Sequence, residues 1–144
     1  MWADSLLALE RGHLLRLAVW GGMSVVVGTL VLTLLVVRRA QAPFAKQFAI
    51  QTAAWGAIDL AICAWGWSGL ALRDYAAATK LVNFLWLNTG LDAGYVMLGA
   101  TLAIACWKLG PKWGGVGAGI AIVVQGAALL LLDLRLIFAI GTFQ

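Results

Sequence analysis

Four stretches of this chain stay apolar for about twenty residues or more, the length a helix needs to cross the hydrocarbon of a bilayer. They cover 17–37, 48–72, 81–107 and 113–140. Barrel strands are excluded, because they run to about ten residues and alternate in polarity. The connections between the runs are short, which sets sequential helices antiparallel to one another. The sequence therefore predicts an all-α integral membrane protein: one domain over 1–144, with four transmembrane helices in an up-down-up-down bundle.

Composition points the same way. Hydrophobic residues make up 63% of the 144 residues and charged residues 11%. A soluble domain carries roughly a quarter charged residues, and one this small has too much surface to hide so much apolar material. The net charge of +4 does not indicate nucleic acid. The basic residues stand singly or in pairs at the edges of apolar runs, where a chain meets lipid headgroups. Lys and Arg divide evenly between the two sides, so they set no majority for orientation. The charges of the first and third connections are the more concentrated, and we expect those connections to be cytoplasmic.

The segment 3–16 mixes five leucines with Asp4, Glu10, Arg11 and Arg16. Two readings suit it: an amphipathic helix along the interface, capped by Asp4 or Ser5, or an extension of the first span. Pro43 in the first connection reads as a helix stop. Ala40, Gln41 and Ala42 have the form of a signal cleavage site. The apolar run before them is too long for a signal peptide, so an uncleaved first span is expected.

Cys63 and Cys106 form no CxxC pair, and each reads as a small hydrophobe. A lone histidine, His13, cannot supply the two axial ligands of a bis-histidine haem, and no metal site is expected. No cofactor is indicated. Trp65, Trp67, Trp107 and Trp113 fall near span ends, as an interfacial belt requires, and Trp2 fits with them. Trp55 and Trp86 lie deeper. They read either as packing or as an aromatic surface for a ligand such as a quinone or pigment.

Polar groups at membrane depth are costly and mark candidate sites. At about 1.5 Å per residue, Asp59 and Asp92 lie roughly 20 and 17 Å from the same membrane face, counted from the ends of the second and third runs. Gln125 comes to a similar level. Asn88, Asp92 and Tyr95 share a narrow stripe of the third helix, and Gln51 shares an arc of the second with Asp59. Two carboxyls in low dielectric cannot both stay ionised cheaply, which is the chemistry of proton or cation handling. The same groups could instead tie helices together. Asp133 and Arg135 are expected to reach the interface or pair with other helices. Arg73 and Tyr75 read as interfacial anchors. Gly90 with Gly94, and Gly115 with Gly119, have the GxxxG spacing that brings helices close.

The run from Phe84 to Tyr95, FLWLNTGLDAGY, resembles a segment of an uncharacterised family of small bacterial four-span membrane proteins. The stretch from Trp55 to Asp59, WGAID, is similar to that family's second span. The resemblance implies a bacterial inner-membrane protein and transfers no catalytic role. Two functions fit the residues. One is a proton- or cation-coupled transporter or channel protomer, working as a homo-oligomer. The other is a structural or assembly subunit of a larger membrane complex. No nucleophile and base stand at a recognisable spacing, so an enzyme is not expected. A working site, if present, is expected between the second and third helices.

Overall fold

The computed structural model describes residues 2–142 and consists of four long helices. They are α1 (Trp2–Val37), α2 (Pro43–Ser68), α3 (Tyr75–Lys108) and α4 (Trp113–Gly141). Each is long and apolar enough to cross a membrane. The chain is an all-α, multi-pass membrane protein whose helices alternate in direction.

Several helix ends differ from the apolar runs, for local reasons. Pro43 does not stop a helix but opens α2, where its missing N–H costs nothing and its fixed φ suits the first turn. The end of α1 at Val37 is where the apolar run ends. Arg39 adopts a left-handed conformation (φ 49°), and Ala40 N–H donates to Leu35 O at 3.0 Å. This is a Schellman closure with arginine at the position glycine usually takes. Asp74 caps α3, its carboxylate accepting from Ala77 N–H at 2.8 Å, so α3 begins six residues before the predicted 81. Gly110, at φ 100°, makes the tight turn into α4, a conformation that side chains with a Cβ avoid.

The segment 3–16 is not an interfacial helix. It continues α1 without a break and buries Leu6, Glu10 and His13. The reason lies in its spacing. Leu6, Glu10, His13, Leu17, Gly21, Ser24 and Gly28 are all buried, and they recur every three or four residues along one stripe of the whole helix.

A strict seven-residue repeat of buried positions marks the other helices. It runs Ala49, Gly56, Cys63 on α2 and Ala78, Leu85, Asp92, Gly99 on α3. On α4 it runs Gly119, Gly126, Asp133, Ile140. A sustained heptad repeat is the signature of left-handed packing between long helices. Lipid offers no hydrophobic drive between helices, so contact area and close approach must hold them. Small residues supply both. A Cβ on Gly28 would meet Ala53 Cβ at 2.8 Å, and one on Gly99 would meet Gly119 O at 2.6 Å.

The arrangement is centred on α4, which packs against all three other helices. The close pairs are α1 with α2 and α3 with α4. Although joined by the short segment 69–74, α2 and α3 do not pack backbone to backbone. The expectation that sequential helices are neighbours therefore fails at this one pair, because α4 lies between them. Gly115 and Gly119 take part in packing, against Cys106 and against Gly99 with Ala103. Gly90 and Gly94 do not: both are exposed, and nothing lies within 4 Å of a Cβ placed there.

These positions separate by experiment. Gly119→Leu is expected to lower stability in detergent by about 1–3 kcal/mol or more, through overpacking against α3. Gly90→Ala is expected to be neutral or to raise it by up to about 1 kcal/mol, through helix propensity. Thermal unfolding followed by circular dichroism measures both.

Candidate functional site

The buried polar and charged side chains among the described residues are Glu10, His13, Ser24, Asp59, Asp92, Gln125 and Asp133. All but Ser24 line one course through the bundle. It starts near the 69–74 connection and stops near the middle of the helices.

The inner end is a chain of three side chains from three helices. Trp20 Nε1–H on α1 donates to Gln125 Oε1 on α4 at 3.0 Å. The Gln125 Nε2–H in turn donates to Asp59 Oδ2 on α2. Asp59 has 0% relative exposure, and its other oxygen, Oδ1, has no partner. The glycines on α1 make this possible, because Gly21 faces both Gly56 O and Asp59 Cβ and leaves the carboxylate room.

Asp92 of α3 lies at the same level. Its backbone carbonyl touches α4 at Gly126, next to Gln125. Its side chain is buried, with Oδ2 unpartnered. The charges of Asp133 and Asp59 both bear on it. Counted from the true helix ends, Asp59 and Asp92 stand roughly 14 and 26 Å from Ser68 and Tyr75. Their common level comes from contact with α4, since α3 starts well outside the end of α2. Asp59 and Asp92 flank α4, which carries Asp133 itself, so the acids do not lie between α2 and α3 alone.

One layer further out, His13 Nε2 stands 3.4 Å from Asp133 Oδ1, both side chains about one-tenth exposed. Asn88 of α3 lies beside the same carboxyl. Asp133 thus pairs with another helix and does not reach the interface, whereas Arg135 is exposed. The outermost layer is an ion pair. Arg73 Nε and Nη2 donate to Glu10 Oε1 and Oε2 at 2.7 and 2.9 Å. Glu10 holds the Arg73 guanidinium above its ordinary pKa through these hydrogen bonds. Arg73 is therefore not the interfacial anchor its place in the sequence suggests.

The other predicted residues lie to the side. Tyr95 is half-buried and meets Trp55 edge-to-face, with ring centroids 5.1 Å apart. These rings bridge α2 and α3 over a shallow crevice that Gln125 and Gly126 also line. Trp86 is 51% exposed on the outer face of α3, so Trp55 and Trp86 form no common surface. Gln51 is half-buried, about two turns of α2 from Asp59, and belongs to the other half of the bundle.

A family model matches residues 16–134. The chain belongs to DUF6992, a family of unknown function. No curated protein and no solved structure matches it. The matched span includes the inner chain, Asp92, Asn88 and Asp133, and begins after Glu10 and His13.

Sequence reasoning missed Glu10, His13 and Trp20. The signal that could have found the first two was the stripe on α1, which crosses residue 17 without a change of period. Nothing local marks Trp20, because its partner is 105 positions away.

Two stability predictions follow the geometry. Gln125→Leu leaves Asp59 Oδ2 and Trp20 Nε1 unpartnered at once and is expected to destabilise by about 2–4 kcal/mol. Chemical denaturation in mild detergent, with the Trp20→Phe and Gln125→Leu double variant for coupling, measures it. Arg73→Met strands a buried Glu10 and is expected to cost about 2–3 kcal/mol, less than a fully buried pair because Arg73 is partly exposed. Adding Glu10→Gln is expected to recover part of that loss in the same assay.

Proposed function

We propose that this protein handles protons, as a proton-coupled transporter or channel protomer, and that Asp59 and Asp92 are its working groups. The observation that carries the reading is a charge count. Asp59, Asp92 and Asp133 are buried together, and His13 is the only buried basic side chain among the described residues. Three buried carboxylates against one buried imidazole in low dielectric cannot all be ionised, because desolvation and mutual repulsion both oppose it. Protons must reside on them, and changes elsewhere in the bundle can load or release those protons.

The atoms give this a definite form. Gln125 Nε2–H occupies Asp59 Oδ2 and leaves Oδ1 without a partner. A proton on Oδ1 therefore breaks no existing bond. Gln125 is itself oriented by Trp20, so Asp59 is offered a donor whichever way it is charged. Asp92, with one oxygen free, is the neighbour with which a proton can be shared. A bacterial inner membrane, as the FLWLNTGLDAGY resemblance implies, would supply a proton gradient.

Four helices enclose little space, and a transport path fits a homo-oligomer better than a lone protomer. The outer face of α3, where Gly90 and Gly94 leave room for a second copy, suits that assembly. The same face favours a second reading, in which the protein is a structural subunit of a larger complex and its acids only tie helices together.

Proteoliposomes holding a pH-sensitive dye, driven by a potassium diffusion potential, separate the two. Proton uptake by the wild type is expected to fall about a hundredfold or more in Asp59→Asn and in Asp92→Asn. Equal uptake in the wild type and both variants sinks the proton reading and leaves the structural one.

A further inference from the structure

The buried polar groups occupy only half the bundle. Between Asp59 and the 38–42 connection, the helices meet through small residues: Gly28 on Ala49 and Ala53, Gly56 on Ser24, Gly99 on Gly119. Ser24 is the one buried polar side chain there among the described residues, and it does not titrate. Between Asp59 and the 69–74 connection the picture reverses. Asp92, then Asp133 with His13 and Asn88, then Glu10 with Arg73 follow one another outward. Two of these groups have an atom with nothing to bond: Asp92 Oδ2 and His13 Nδ1. Helix packing alone has no use for an acid and an imidazole left open inside a bundle, since each unsatisfied atom is costly.

We propose that His13 and Asp133 are a proton relay, joining the mid-membrane acids to one membrane face only, that of the α2–α3 connection. This rests on the proton-handling reading above and adds its route and its sidedness. The imidazole takes a proton at the free Nδ1 and gives the one on Nε2 to Asp133 Oδ1, ending neutral in its other tautomer. Asp133 passes the proton on to Asp92, the next buried acid inward along the same course. Only N–H and O–H bonds form and break. Asn88 lies beside the Asp133 carboxyl, one helical turn from Asp92 on the same face of α3.

The charges around the relay suit this. Arg16 lies one turn along α1 and acts on His13, while Arg135 acts on Arg16. Glu10 is also one turn away but is taken by Arg73. Cys63, the titratable group of α2 at this level, donates its S–H to Leu14 O. No carboxylate other than Asp133 is therefore left to fix a charge on His13. The imidazole can cycle between its forms and is not locked as a permanent cation.

The test follows the acids directly, without turnover. Protein in lipid nanodiscs is perfused with heavy water while infrared spectroscopy follows the protonated-carboxyl C=O bands. The bands of Asp59 and Asp92 are assigned by their loss in Asp59→Asn and Asp92→Asn. Their exchange is expected to slow about a hundredfold in His13→Gln and in Asp133→Asn. It is expected to stay at the wild-type rate in Ser24→Ala, on the sealed side. Imidazole in the bath is expected to restore exchange in His13→Ala, which a purely structural histidine would not allow. Wild-type exchange rates in His13→Gln overturn the relay, as does slow exchange that imidazole cannot restore. If His13→Gln does not fold, Asp133→Asn decides by the same rates. Absence of any band lost in Asp59→Asn or Asp92→Asn overturns the proton-handling reading itself, and the relay with it.

Discussion

An ionisable group in hydrocarbon must be neutral, paired or hydrogen-bonded, and α4 is placed where it can meet that demand for three other helices. Gln125 satisfies one oxygen of Asp59 on α2 and accepts from Trp20 on α1. One residue on, Gly126 lets α3 approach at Asp92. Two turns further, Asp133 meets His13 of α1 and Asn88 of α3. Without these contacts Asp59, His13 and Asp133 would stand alone in a medium that penalises each by several kcal/mol. The polar layer thus specifies which faces of four otherwise similar apolar helices turn inward.

Backbone proximity makes the polar layer reachable. Asp, Asn and Gln side chains are short, and they can pair across helices only where the axes come close. The seven-residue repeats supply that closeness, with glycine or alanine at Ala49, Gly56, Gly99, Gly119 and Gly126. In the opposite half of the bundle the same small residues pack the helices without carboxyls. One packing rule thus produces a polar half and a sealed half. The division depends on where the heptad position carries aspartate and where it carries glycine.

The apolar runs revealed four spans because hydropathy is a local property that needs no partner to be read. The acids at 59, 92 and 133 stood out for a related reason: a charge inside such a run is conspicuous by itself. Glu10 and His13 did not stand out, because they sit in a polar-looking segment whose burial depends on α4 continuing to Gly141 beside it. Gly90 and Gly94 misled in the opposite direction. A GxxxG spacing states that a close approach is sterically possible, and only the arrangement of the other helices shows that no helix of this chain makes it.

By itself, then, the sequence determined the class of the protein: four membrane-spanning helices of alternating direction, with carboxyls set among them at depth. That information lies in residue type and period, which survive without knowledge of any neighbour. The tertiary structure decided that α4 is central, that α2 and α3 are held apart, and that α1 runs unbroken from Trp2. It also decided the partners: Trp20 with Gln125, His13 with Asp133, Glu10 with Arg73. Each pair joins residues at least 63 positions apart. Their meeting depends on the rotation of each helix about its axis, which helix packing sets and no local stretch of sequence encodes.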